Sequence, residues 1–145
     1  ARLTPKPFIS SALTALARLS RNHVPGEVLI VTFDAASLTP AHLGAHADHA
    51  CGIVGLTNAM HLRAVISQNL VALDGARAMT ELVDFVRAQQ QPAHKCLLLE
   101  CTNLPPYKHA LSAATGLPVV DILTEIEIAA PGTIRPAFLA GGLGG

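Results

Sequence analysis

The residues best equipped for chemistry are Cys101, Thr102 and Asn103, which follow an apolar run and precede two prolines in KCLLLECTNLPPYKHALSAATGLPVVD, residues 95–121. A thiol serves as acid, base or nucleophile once its thiolate is favoured. Residues 96–101 are short and apolar enough for a parallel strand covered on both faces, with Cys101 as its last residue. Thr102 or Asn103 suits the N-cap of the next helix and the prolines its first turn; Gly116 suits its end. Helix 107–115 then leads into strand 117–122. This order places a thiol at the carboxyl end of a strand, facing the positive end of a helix, where open α/β sheets take their ligands. Against it stands the frequency with which free cysteines are simply buried.

Other polar groups fall near the same edge. Asp34 and Ser37, after a strand at 27–33, are placed to line a cleft or form a hinge, or equally to make a solvated loop and a hydroxyl turn. Ser10 and Ser11 stand at the start of a helix. His42, His46 and His49 recur at i, i+4 and i+7 of a predicted helix, with Asp48 beside them. Two such imidazoles can share a zinc ion, but no closed ligand set is visible, so a solvent-facing histidine helix and no metal are expected. His23, His61, His94 and His109 are scattered. No glycine-rich phosphate loop, nucleophile elbow or Cys-x-x-Cys pair occurs, which leaves nucleotide binding, serine hydrolysis and a zinc ribbon unsupported.

The elements that must hold these groups form an alternating series. A proline-punctuated lead (2–7) precedes a helix at 8–20 with Phe8, Leu13, Leu16 and Leu19 near one face. The strand at 27–33 follows, then a helix at 39–49 opened by Thr39-Pro40 and a strand at 51–56. Residues 58–73 are ambiguous. Helix 76–90 carries an apolar stripe of Met79, Leu82, Val83 and Val86, and after strand 117–122 residues 122–128 read as strand end or short helix. Pro131-Gly132 turns the chain toward a glycine-rich end. Strands alternating with helices predict an α/β fold, a parallel sheet of about four strands flanked by helices and joined by right-handed crossovers. The expected division is a lead segment and helix (1–22), an α/β domain (23–128) and a tail (129–145).

The 145 residues suit one domain; half are apolar, and ten basic residues balance ten acidic ones. With no Lys/Arg-rich block, neither nucleic acid nor an anionic membrane is an expected partner. No apolar run reaches the ~18 residues of a membrane span. Three unpaired thiols fit a reducing, cytoplasmic setting, and the initial Ala1 points to a processed or trimmed form.

The segment LLLECTNLPPYKHALSAATGLPVVDILTEI resembles the second-cysteine region of the aspartate/glutamate racemase superfamily, in which a strand ends in Cys-Thr-x-x-Pro and a later one reads Gly-Leu-Pro-Val-x-Asp-Ile. VLIVTFDAASLTPAHL (28–43) is similar to that family's first strand and helix opening, and IVGL (53–56) sits where its next strand lies. The resemblance implies one half of a two-domain architecture and cofactor-independent proton transfer beside a carboxylate, as in an amino-acid racemase working without pyridoxal phosphate. It implies Cys101 as acid/base, with Thr102 and Asn103 holding the carboxylate of a small carboxylic or amino acid. Ser10, Ser11, Asp34 and Ser37 would line the cleft. The family's first thiol has no counterpart before Ser10, so the missing half, or a second copy of the chain, would have to complete the site. Single-thiol decarboxylases and cis-trans isomerases of small dicarboxylates are the alternative enzymes; a non-catalytic fragment that binds carboxylates or a partner is the other reading.

Overall fold

The computed structural model of the protein describes residues 8–140; the expected lead at 2–7 and glycine-rich end at 141–145 lie outside them. Four parallel strands, β1 (Val28–Thr32), β2 (Ile53–Gly55), β3 (Cys96–Leu99) and β4 (Val119–Val120), form one sheet in the order β2-β1-β3-β4. This is the expected α/β class with its sheet flanked by helices. β1 and β3 are apolar without alternation, apart from Thr32 at the end of β1, because both of their faces are covered. Leu29, Val31, Leu97 and Leu99 pack on one side with α3 (Gly75–Gln89) and α4 (Lys108–Thr115). Val28, Ile30, Cys96 and Leu98 pack on the other with α1 (Leu16–Leu19) and the 3-10 turn Ala12–Ala15 that leads into it. Each large aliphatic side chain so buried contributes roughly 1.5–3 kcal/mol.

Several elements depart from expectation for identifiable reasons. The first helix begins at Ala12, where Ser11 accepts a hydrogen bond from the Leu13 N–H, and this leaves Phe8 outside it and 84% exposed. In α3 the buried seam is Ala78, Leu82 and Val86, four residues apart; Met79, one position round the helix, stays outside. Residues 40–52 make no regular helix. Thr39 and Pro40 open the segment as predicted, but it is of 3-10 type and interrupted at Gly44 (φ 55°) and His46. His42, His46 and His49 therefore do not share one helical face, and His49 is buried rather than solvent-facing.

The ambiguous stretch contains α2 (His61–Ser67), closed at Gln68 before Asn69 takes φ 51°. Residues 122–128 are helical: Asp121 caps α5 (Ile122–Ala129) by accepting from the Thr124 N–H at 2.8 Å. A last short helix, α6, spans Pro136–Ala140. Among the described residues no helix is long and apolar enough to cross a membrane.

Candidate active site

The carboxyl edge of the sheet gathers the polar residues, and β1 and β3 set its geometry. The sequence proceeds from β1 to β2 on one side and then crosses to β3 on the other, so the order reverses between β1 and β3. At such a reversal the two following loops part and leave a crevice, the usual ligand position in open α/β sheets. Here a cavity of about 310 Å³ is lined by Thr32, Phe33, Asp34, Ser37, Leu38, His42 and Glu100. A neighbouring cavity of about 280 Å³ includes Ser10, Ser11, Thr14, His42 and His46, with His42 common to both.

The first cavity is held by short-range bonds. Asp34 accepts from the Ser37 hydroxyl at 2.8 Å and from the Ala36 N–H at 3.1 Å. These bonds, with the Arg63 guanidinium 4.0 Å away, hold its carboxyl below the usual carboxylate pKa. Arg63 is itself committed: it donates to the Leu56 and Phe33 carbonyls and lies over the Phe33 ring at 4.6 Å. His42 Nδ1 accepts from the Thr39 N–H, so the proton of the neutral ring is on Nε2.

Thr32, only 4% exposed, donates its hydroxyl to Glu100 at 2.7 Å. Sequence reasoning missed this last pair. The available signal was that both apolar runs end in a polar residue, VLIVT and CLLLE; pairing Val31 with Leu99 then sets Thr32 beside Glu100.

Cys101 lies on the other face of the same strand end. β3 ends at Leu99; the Glu100 N–H still donates to the Val31 carbonyl at 2.9 Å, while the last carbonyl of β1, that of Thr32, turns to the Leu56 N–H beyond β2. Two residues beyond Leu99, Cys101 is 8% exposed and shares the apolar cluster of Leu99, Leu104 and Tyr107. The expected N-cap role of Thr102 and Asn103 is not realised. A cap at Asn103 would need N–H groups at positions 105 and 106, both of which are proline. The chain instead makes a turn closed by Leu104 N–H to Cys101 C=O, then a 3-10 turn at Pro105–Tyr107, and α4 starts only at Lys108. Thr102 and Asn103 are exposed on that turn, and the Asn103 amide points back at the Cys101 sulfur, 3.8 Å away.

The remaining thiols are placed differently. Cys96 is 1% exposed on the opposite face, and burial pushes its pKa up to about 11. Cys51 is exposed at the amino end of β2. Asp121, 0% exposed at the end of β4, takes Lys108 at 3.5 Å and the Thr124 hydroxyl at 2.7 Å on one oxygen. Among the described residues no group of three or more His, Cys, Asp or Glu side chains is arranged to hold a metal ion.

Fold and edge together define a parallel α/β protein with a small cleft at its switch point and a thiol behind it. In sequence the chain is similar, over nearly its whole length, to two dimethylsulfoniopropionate lyases. It is 31% identical to the dimethylsulfoniopropionate lyase of Durusdinium sp. clade D, the match covering 93% of this chain and 48% of that protein. It is likewise 31% identical to dimethylsulfoniopropionate lyase 5 of Emiliania huxleyi (strain CCMP1516), covering 94% of this chain and 29% of the other. The chain thus spans about half or less of the length of these curated relatives. No protein-family profile and no solved structure matches it.

Proposed function

We propose that this chain is one half of a lyase related to the aspartate/glutamate racemases, the half that carries their second thiol, and that it acts on a small carboxylate bearing a sulfonium group. The observation that carries the reading is the similarity, along 93–94% of the chain, to two dimethylsulfoniopropionate lyases. The chemistry suits the residues. A thiolate at Cys101 removes the proton on the carbon next to the carboxylate. The C–H electron pair becomes the new carbon-carbon double bond, and the bond to sulfur breaks with its electrons leaving on sulfur. Acrylate and neutral dimethyl sulfide form, and the Cys101 proton returns to water. Thr102 and Asn103 hold the carboxylate from the exposed turn, while Asp34, Ser37, Ser10 and Ser11 border the cleft.

Elimination is preferred to racemisation because both relatives are named as lyases. The departing thioether is neutral and needs no proton, so a single thiol from this half suffices for the bond-breaking step. Cys101 is the one thiol near the carboxyl edge; Cys96 is sealed in the other half of the core and Cys51 stands at the opposite end of its strand. A complementary half, from the rest of a longer protein or a second copy, closes the cleft and completes specificity.

The test is headspace detection of dimethyl sulfide from dimethylsulfoniopropionate, with the 145-residue chain and with the full-length product of its gene. Release from the full-length protein, with little or none from the chain alone and loss in Cys101→Ser, is the expected result. Exchange of the α-proton of an amino acid with solvent deuterium, without loss of a thioether, would overturn it in favour of racemisation.

A further inference from the structure

We propose that Glu100 is a specificity-determining residue that receives a small onium cation, sulfonium or quaternary ammonium, in the cavity between the carboxyl ends of β1 and β3. This deepens the lyase reading and rests on it for the natural substrate, but the cation site is defined by its own geometry. Glu100 stands beside Thr32 in the continuation of the β1/β3 register. The hydroxyl of Thr32, a residue only 4% exposed, is spent on one Glu100 oxygen at 2.7 Å. A buried hydroxyl so committed restrains the orientation of the carboxylate and occupies only one of its two oxygens, and Glu100 is among the residues lining the cavity.

The cavity's other titratable side chains, Asp34 and His42, have hydrogen-bond partners of their own, His42 Nδ1 accepting from the Thr39 N–H. Among the described residues no Lys, Arg or His lies within ion-pair distance of Glu100. The other carboxylate of the cavity, Asp34, is already occupied by Ser37, the Ala36 N–H and Arg63. Arg63 in turn has its donors on the Phe33 and Leu56 carbonyls. Glu100 is therefore a fixed negative charge awaiting a counter-charge, at the position where an open sheet takes its ligand.

The walls select the kind of cation. Phe33 and Leu38 supply apolar surface, and about 310 Å³ is the low end of ligand-cavity sizes. An onium group has no N–H to donate; it needs one carboxylate for charge and apolar walls for its methyls. A metal ion would need several converging ligands, and among the described residues no group of three or more His, Cys, Asp or Glu side chains converges. Because Glu100 and Cys101 are consecutive at a strand end, their side chains lie on opposite faces of the edge. A substrate lying over that edge has its cationic end toward one and its acidic C–H toward the other.

The experiment is an amide-shift titration of the 145-residue chain with trimethylsulfonium, and separately with tetramethylammonium and propionate. Saturable shifts at Thr32, Phe33, Ser37 and Glu100 with both cations are expected. Glu100→Gln weakens that binding roughly tenfold, a change of one charge partner. Thr32→Val weakens it less, since the charge stays but loses its fixed orientation. Asp84→Asn, on the exposed side of α3, leaves it unchanged. Absence of saturable cation binding, or equal affinity in Glu100→Gln, overturns the proposal. Cation binding that depends on Glu100 in a protein that releases no dimethyl sulfide leaves this site standing while the lyase reading fails. In an active full-length protein, a KM for dimethylsulfoniopropionate unmoved by Glu100→Gln overturns the cation role whatever the rate.

Discussion

The three cysteines differ only in where the fold puts them, and that separates them chemically. Cys51 is exposed, Cys96 is sealed between β3 and α1 with its pKa raised to about 11, and Cys101 retains 8% exposure beneath the Thr102-Asn103 turn. Alkylation of the native protein with iodoacetamide at pH 8, followed by peptide mapping, should label Cys51 first and leave Cys96 unlabelled until denaturant is added. Native labelling of Cys96 at the rate of Cys51 would show the core assignment to be wrong. Labelling of Cys101 that speeds up in Asn103→Gly, which removes the amide 3.8 Å from the sulfur, would show access through that turn. At this scale the sequence marks Thr102 or Asn103 as an N-cap, and the fold uses neither in that way. The rule that helices begin at a Thr or Asn was overridden by a second rule, that Pro105 and Pro106 offer no N–H to cap. The Thr32–Glu100 pair went unnoticed because it joins two strands, and register is not written in either strand alone.

Elements were legible where the core decides them. β1 and β3 are continuous apolar runs because both faces are covered, and helix α3 is amphipathic over its full length. They were illegible where local conformation decides. Residues 40–52 have helical composition, yet Gly44 at φ 55° turns the segment and places His42 at the cavity and His49 in the interior. Two glycines, Gly52 just before β2 and Gly55 at its end, make the same point in energetic terms. A methyl group on Gly52 would overlap the Val28 carbonyl of the adjacent strand, and one on Gly55 would come within 2.5 Å of the Ala35 N–H group's nitrogen. Both obstacles are backbone, which cannot swing aside as a side chain can. Gly52→Ala should cost on the order of 3 kcal/mol, the upper end for overpacking, read as a lowered urea midpoint with an unchanged slope. Gly55→Ala presses on the loop that carries Asp34 and Ser37, so it should weaken ligand binding in the cavity as well as stability. Leu82→Ala, in the buried seam of α3, should cost about 2–5 kcal/mol without touching the cavity. A Gly52→Ala protein as stable as the parent would mean that β1 and β2 are not packed as described.

For the molecule as a whole, two buried imidazoles set how stability responds to acid. His49, 3% exposed, and His94, 9% exposed, both have pKa values held below the ordinary 6.5, chiefly because burial disfavours the charged ring. For His49 the neighbouring His46 and His23 act in the same direction and Asp48 opposes them. A lowered folded-state pKa means that the unfolded chain binds protons first as pH falls. The stabilisation from keeping these rings neutral is complete above about pH 6.5 and is lost as pH drops from there through their folded values. Asp34, Glu81 and Glu127, whose pKa values are lowered by hydrogen bonds, add their own loss only below their ordinary values of 3.8 to 4.5. The decline should therefore come in two stages, histidines first. Urea unfolding at pH 7.5 and 5.5 should show a lower midpoint at 5.5, and in His49→Gln the difference between the two pH values should shrink, leaving the part due to His94. The comparison within each variant separates this from any general destabilisation by the substitution. Equal midpoints for the parent protein at both pH values would mean that neither ring is buried in its neutral form, and that segment 40–52 does not cover the sheet as it does here.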